Sequence, residues 1–450
     1  MRIVCIINQC TELEEDYLAV ADDVDTITDT TSTTNSNTIR QTKLLDTLSL
    51  ASTMTTEKRS TKREQSLKSL FKSITQYATS TQGQETILSK LNDTILPLCI
   101  VGLRGGVASP SEQYASCRVL EATSVVIGGN QDEYCESIYD LLVKIVKATG
   151  RASQVRGAAL RALSMSYFIC CANDHSGTDA ILNLCENVCG VRYRGEDVPS
   201  HLRAVALDCW ALLSTTLHKA YISGDEIVGG IGDLGRGVTI LPLLSDCLNH
   251  VNLDLRCAAG ECVALIHEAR LELGIDDDDG ENATERRFRR GSWDGSEWEV
   301  LMDEVRQRVS ELSVESGHHM SKKAKKEQRA TFREFMATIV EDESPSEVVS
   351  FRGGTLNLTS WQEIVQLNFI RHCLQSGFQI QLMTNYTLQI IFGADGNTLN
   401  SNATMSQLEK RLTLSKTSEA SKAADREMLK RRKSKRNKQN HFLTIDGEDI

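Results

Sequence analysis

The residues with the most specific chemical spacing are three glycines. Gly230, Gly232 and Gly235 satisfy the G-x-G-x-x-G pattern, which binds phosphates when it follows a strand and opens a helix in a parallel α/β unit. No strand-like run precedes Gly230, and no alternation of strands and helices surrounds it. A flexible loop is therefore the favoured interpretation. The sequence also lacks a P-loop motif.

The cysteine spacing does not indicate a zinc site. Cys185 and Cys189 lie one helical turn apart, with Cys170 and Cys171 nearby in sequence, but zinc needs a second pair or histidines at regular spacing. Buried thiols are the favoured interpretation. We predict no metal site.

Histidine patterns do not indicate catalysis either. His267 and Glu268 begin an H-E-x-x-H pattern, but Leu271 stands where the second histidine belongs. His318 and His319 lie in a charged stretch, where solvated side chains are expected. We therefore predict a protein that is not an enzyme and has no cofactor or small-molecule substrate.

A cluster of cations near the C-terminus is the strongest functional candidate. Residues 408–440 hold 12 Lys/Arg against 4 Asp/Glu, a net charge of +8, on a chain whose total is −11. Cations along one helix can follow a phosphate backbone, and RNA offers dense phosphate rather than a base code that lysine reads. The candidate contact residues are Lys422, Arg426, Lys430, Arg431, Arg432, Lys433, Lys435, Arg436 and Lys438.

Two further interpretations of this basic tail stay open. It can be a nuclear-localisation signal, or a merely solvated segment. A localisation role and a nucleic-acid role are compatible with each other. The partners expected are a ribosome with its RNA, or regulatory proteins.

The composition indicates a helical protein of several domains. The chain has 450 residues, only 5 prolines and few aromatic residues. No stretch suggests a transmembrane helix, and the apolar run near Met1 is too short for a signal peptide. We expect a monomer without a membrane partner, located in the cytoplasm, the nucleus or both. The 14 cysteines are expected to be reduced.

A repeated pattern organises residues 43–274. Segments starting at 63, 115, 156, 203 and 256 share small or apolar residues behind their first position, which is arginine in all but the second. Their spacing of 41 to 53 residues overlaps that of HEAT and armadillo repeats. Each repeat leaves an apolar face that the next one covers, which predicts an α-helical solenoid.

The recurring arginines include Arg156, Arg203 and Arg256. They can line a binding face of the solenoid. The favoured alternative is that they make structural contacts between repeats, because charged groups inside a helical array must be paired.

The sequence therefore predicts a mainly α protein: a HEAT/armadillo-like solenoid, a small α+β C-terminal domain and a basic helical tail. A hairpin is predicted around Gly353–Gly354, followed by a helix from Trp361 that Thr359 or Ser360 caps. The predicted divisions are a disordered polar N-terminus at 1–42, repeats at 43–274, a charged linker at 275–298, the C-terminal domain at 299–396 and the tail at 397–450.

Two segments resemble the interferon-related developmental regulator family. Leu255–Glu268 resembles the last repeat of the family's N-terminal region. The run from Phe332 through Val340-Glu-Asp-Glu-Ser-Pro345, Leu356–Trp361, Gln366–Phe369 and Gly377–Leu382 to Ile391-Phe-Gly393 resembles its C-terminal signature. The resemblance extends from about 50 to 395.

This resemblance implies a non-enzymatic regulator. Members are described as transcriptional co-regulators in nucleus and cytoplasm, and as ribosome-binding proteins that contact ribosomal RNA through their C-terminal region. The first expectation is a ribosome-associated regulator of translation. The alternative is a nuclear scaffold for transcription whose basic tail is a localisation signal.

Overall fold

The computed structural model describes residues 33–106, 108–223, 235–273, 296–314, 322–351 and 354–393. The chain divides into one compact unit of residues 1–349 and 356–392, and a second of 350–355 and 393–450. Almost all of the second unit lies outside the described residues, so the first is described below. The predicted linker lies mostly outside them too, as do Gly230 and Gly232.

The described chain is mostly helical, which is consistent with the predicted α-helical solenoid. Its helices are α1 (Thr33–Met54), α2 (Ser60–Tyr77), α3 (Thr81–Lys90), α4 (Leu96–Leu103), α5 (Pro110–Ile127), α6 (Asp132–Lys147), α7 (Ser153–Ile169), α8 (His175–Cys189), α9 (Ser200–Ser214), α10 (Lys219–Ser223), α11 (Arg236–Leu248), α12 (Leu253–Glu272), α13 (Ser296–Val314), α14 (Lys322–Glu341), α15 (Trp361–Leu374), α16 (Phe378–Thr384) and α17 (Tyr386–Ile391).

Short irregular elements and two small hairpins complete the described chain. A π-helical turn, Leu91–Ile95, joins α3 to α4, and a 3-10 turn, Gln375–Gly377, joins α15 to α16. Strand β1 (Arg192–Tyr193) pairs antiparallel with β2 (Glu196–Asp197). Strand β3 (Glu347–Phe351) pairs with β4 (Gly354–Leu358). The predicted hairpin is thus present.

The long helices form two rows. The inner row is α2, α5, α7, α9, α12 and α14, each packed against the next, and the outer row is α1, α3 with α4, α6, α8, α11 and α13. Outer helix α6 buries one stripe, which includes Tyr134, Ile138 and Leu142. Inner helix α7 is buried at every residue from Val155 to Ile169. A helix that is buried all round must have neighbours on all sides.

The last three helices supply the remaining neighbour of the inner row. Helix α15 packs against α12, α9 and α5, and α16 packs against α2. The C-terminal segment therefore runs back along the inner row, opposite to the order of the repeats. Residues 356–392 belong to the same compact unit as the repeats.

Local signals explain several helix ends. The Ser360 side chain accepts a hydrogen bond from the Glu363 backbone N–H, so Ser360 is the predicted cap of α15. Helix α15 ends at Leu374, and Gly377 lies in the following 3-10 turn. At Gly377 a Cβ would meet the Thr75 carbonyl oxygen at 2.6 Å, so the close approach to α2 requires glycine. Helix α1 begins at Thr33, earlier than the predicted boundary at 43.

Two expectations need correction. Cys135 and Cys171 are joined by a disulfide between α6 and the segment after α7, so the cysteines are not all reduced. The helical run Thr81–Leu103 is long and apolar enough to cross a membrane by length and composition, although no such stretch was expected. Half of its most apolar window is buried inside the protein, and core helices of soluble proteins pass the same test.

Candidate functional site

The nine candidate residues of the basic tail, Lys422 to Lys438, lie outside the described residues. The other three candidates, Arg156, Arg203 and Arg256, are all buried. Each is the fourth residue of an inner helix, respectively α7, α9 and α12. They are therefore equivalent positions of three successive repeats.

These arginines donate to main-chain carbonyls at the end of the preceding outer helix or, for Arg256, in the turn just after it. Arg156 Nε donates to the Val146 carbonyl at 2.9 Å, and Arg203 Nε to the Cys189 carbonyl at 2.6 Å. Arg256 Nη1 donates to the His250 carbonyl at 3.1 Å. The last carbonyls of a helix have no hydrogen-bond partner within it and carry the negative end of its dipole. A guanidinium supplies these carbonyls with donors and places a positive charge beside them.

Arg63 occupies the same position in α2. Its Nη1 donates to the Glu57 carbonyl at 2.7 Å, and its Nε and Nη2 donate to both carboxylate oxygens of Glu112 at the start of α5. Arg63 therefore joins the turn that precedes its helix to the next repeat. This geometry supports the structural interpretation of the recurring arginines.

A second group of charges is buried in the middle of the inner row. Arg118 and Glu121 of α5 form an ion pair, and Arg161 of α7 places its Nε 3.4 Å from the other Glu121 oxygen. The Arg161 Nη1 lies 3.9 Å from Asp208 of α9. Glu121 is fully buried and Arg118 is 1% exposed. Buried charges require such pairing, because each loses its hydration.

These arginines bind the C-terminal helix α15. Arg118 Nη2 donates to the carbonyls of His372 and Cys373, at 2.7 and 2.9 Å, in the last turn of α15. The Arg161 guanidinium lies 3.9 Å from the centre of the Phe369 ring, a cation–π contact. Arg118 thus caps a helix end, as Arg156 and Arg203 do, but between distant parts of the chain.

Two side-chain amides attach the segment that follows. Gln381 Nε2 donates to the carbonyls of Thr75 and Ala78 at the end of α2, at 3.0 and 3.1 Å. Asn385 Nδ2 donates to the Val125 carbonyl of α5 at 3.0 Å. Gln381 is fully buried and Asn385 is 1% exposed. Their loss would leave buried carbonyls without partners, which costs more than a hydrogen bond contributes.

Trp361 anchors the start of α15. Its ring packs against Phe335 with centroids 5.3 Å apart, and its indole N–H donates to Thr338 Oγ1 at 2.9 Å. Its backbone N–H donates to the Glu268 carboxylate at 2.8 Å. Burial raises the pKa of Glu268, while the backbone N–H groups of Trp361 and Gln362, which both donate to its carboxylate, oppose that shift.

A cleft of about 580 Å³ opens beside Trp361. Phe335 and Trp361 contribute apolar walls, and Glu261, Glu334 and Glu347 contribute carboxylates. Burial and the nearby Glu347 carboxylate raise the pKa of Glu334. Glu347 is already paired with Arg371 at 3.3 Å. The cleft is chemically suited to a cationic, partly apolar group.

Metal-binding clusters and reactive thiols were two further features with possible chemistry in the described residues. Within them, no group of three His, Cys, Asp or Glu side chains could hold a metal ion. Burial raises the pKa of Cys170 and Cys209 to about 12, so these thiols are poor nucleophiles.

Sequence reasoning missed the residues that hold the C-terminal helices. Arg118 and Glu121 interrupt a run of small and apolar residues in α5, three positions apart. A charged pair inside such a run signals burial with further partners. Nothing in sequence spacing indicates that those partners are carbonyls more than 250 residues away.

His372 supplies a testable pH dependence. Burial, together with Arg161 and Arg118, holds the pKa of His372 well below its usual 6.5. The unfolded chain therefore binds a proton near pH 6.5 that the folded chain does not. Stability conferred by neutral His372 is present above pH 6.5 and is lost as pH falls below it, by at most about 1.4 kcal/mol per pH unit.

We expect His372→Gln to flatten the fall in urea-unfolding free energy between pH 7 and pH 5. His175→Gln, at an exposed position, is the control and should retain the wild-type slope. Equal slopes for wild type and His372→Gln would contradict the assignment.

The fold and site define a class of protein: a helical repeat scaffold whose inner row of helices is covered by its own C-terminal helices. The sequence matches the family described as Interferon-related developmental regulator over residues 15–340. The chain belongs to this family. The matched residues end within α14, so most of the C-terminal signature quoted above lies beyond them.

Curated relatives agree with the family match. The chain is 24% identical over 286 residues to Interferon-related developmental regulator 1 of Mus musculus, covering 62% of this chain and 58% of the relative. It is 26% identical over 292 residues to Interferon-related developmental regulator 2 of Mus musculus, covering 63% and 59%. The matches thus span about three fifths of those relatives.

Proposed function

We propose that this protein is a non-enzymatic regulator that associates with ribosomes and acts on translation. In this proposal the basic tail contacts ribosomal RNA, and the repeats, of the HEAT/armadillo type, present surfaces to proteins. A small C-terminal domain follows the repeats in this assignment. The protein is a monomer of the cytoplasm, the nucleus or both.

The observation that carries the proposal is the separation of charge. Residues 408–440 have a net charge of +8, so the rest of the chain has about −19. An acidic body is repelled by RNA, and a basic tail is attracted to it. Membership of a family of regulators supports a binding role.

The packing of the C-terminal helices supports assigning the RNA contact to the tail. The inner row of helices is occupied by α15 and α16, through Arg118, Arg161 and Gln381. A partner that used this face would have to displace them. A partner that bound the outer row would not have to displace them.

Sedimentation of cell extract through a sucrose gradient tests the proposal. We expect the full chain in ribosomal fractions and a 1–420 truncation at the top. Raising salt from 50 to 200 mM should weaken binding about 10³- to 10⁵-fold if six to ten phosphates are contacted. A variant with Lys62, Lys90 and Arg192 changed to Gln removes exposed body cations and should sediment as wild type.

The second candidate is a nuclear scaffold for transcriptional regulators. Lys430–Lys438 holds seven cations in nine residues, a density typical of import signals. If the full chain and the 1–420 truncation both stay at the top of a low-salt gradient, the ribosomal proposal is wrong. In that case a fluorescent 1–420 truncation should lose nuclear accumulation while still binding its partners in vitro.

A further inference from the structure

Two cysteines of neighbouring repeats lie side by side in the core. Cys189 is the last residue of α8, and Cys247 lies in the last turn of α11, 58 positions further on. Their sulfur atoms are 3.8 Å apart, and both residues are fully buried. Formation of a disulfide would require the sulfurs to approach to about 2.05 Å.

Arg203 lies beside this pair of cysteines. Its Nε donates to the Cys189 carbonyl at 2.6 Å, and its Nη2 donates to Cys247 Sγ at 3.3 Å. A hydrogen bond between the two sulfur atoms and the charge of Arg203 lower the pKa of Cys247, while burial opposes that shift. The same hydrogen bond and burial raise the pKa of Cys189. Because the Arg203 guanidinium donates to the Cys247 sulfur, a thiolate is stabilised at Cys247 rather than at Cys189.

We propose that Cys189 and Cys247 are a redox modification site, at which hydrogen peroxide forms a reversible disulfide between adjacent repeats. The Cys247 thiolate attacks one oxygen of hydrogen peroxide. The O–O bond breaks, hydroxide is released from the peroxide, and Cys247 becomes a sulfenic acid. Cys189 then attacks that sulfur and gives up its proton, while the S–O bond breaks. Two thiols and one peroxide yield one disulfide and two waters.

This inference goes beyond the proposed function and does not depend on it. Other buried thiols differ from Cys247: burial raises the pKa of Cys170 and Cys209 to about 12. Full burial restricts the oxidant to a small molecule such as peroxide. The disulfide would tie the end of α8 to α11 and fix the outer row at this junction.

Peptide mapping of the full chain tests the proposal. The reduced protein is treated with hydrogen peroxide and then denatured in urea with excess N-ethylmaleimide, so that buried thiols are also blocked. It is digested without reductant and analysed by mass spectrometry. We expect a linked pair of peptides containing Cys189 and Cys247, which dithiothreitol separates. Recovery of both cysteines as maleimide adducts would overturn the proposal. Equal yield of this link from chain oxidised in urea would also overturn it, because the native geometry would then be irrelevant.

Single variants test which thiol attacks. In Cys189→Ser, Cys247 should stop at sulfenic acid and be trapped by dimedone added together with urea after the peroxide, whereas Cys247→Ser should give no adduct at Cys189. A dimedone adduct in both variants, or in neither variant, would contradict the assigned chemistry. Far-ultraviolet circular dichroism checks that each variant is folded, and the wild-type mapping needs no variant.

Discussion

Arg118→Met should lower the free energy of unfolding by about 3–5 kcal/mol, the cost of removing one partner of a buried ion pair. Arg118 is 1% exposed, and it satisfies Glu121 as well as two carbonyls in the last turn of α15. Methionine preserves much of the volume but supplies no donors. Urea unfolding followed by tryptophan fluorescence measures the change.

The control for Arg118 is an arginine whose ion pair is solvated. Arg192 lies 3.0 Å from Asp197, with their side chains 72% and 80% exposed. Arg192→Met should change stability little, because water replaces the lost partner. If Arg118→Met is as mild as Arg192→Met, the buried network does not hold α15.

Trp361→Ala should cost about 3–5 kcal/mol, as expected for removing a buried tryptophan. Trp361 is 3% exposed and packs on Phe335, and its indole N–H satisfies Thr338. Because α15 begins at this residue, the loss should loosen the C-terminal helices first. Hydrogen exchange followed by mass spectrometry should show faster exchange across 361–392 than across α5 or α7.

The matched control is Tyr386→Ala, at the start of α17. Tyr386 is 72% exposed, so its truncation removes little buried area. We expect exchange in 361–392 to remain as in the wild type. Unchanged exchange in Trp361→Ala would show that other contacts suffice to hold these helices.

Local patterns predicted those features whose causes are local. The turn of the hairpin at Gly353 and Gly354 and the Ser360 cap each depend on residues within four positions of each other. The recurring position of Arg156, Arg203 and Arg256 could be seen in the sequence because each repeat has the same unpaired carbonyls. The carbonyls at the end of each outer helix need hydrogen-bond donors, and an arginine at the fourth residue of the following inner helix can reach them.

Contacts between distant segments could not be predicted in this way. Arg118 and Cys373 are separated by 255 positions, and Gln381 and Thr75 by 306. The donors and acceptors involved are ordinary arginine, glutamine and backbone groups that occur throughout the chain. No spacing rule selects one carbonyl among hundreds.

The sequence by itself determined the helical class, the repeat period, the family resemblance and the concentration of cations after residue 408, because composition and periodicity are properties of the chain. The tertiary structure alone decided that the C-terminal helices cover the inner row, and that Cys189 meets Cys247 beside Arg203. The physical reason is that buried carbonyls, charges and apolar faces must be satisfied by whichever groups the packed chain brings near, and sequence separation does not limit which groups those are.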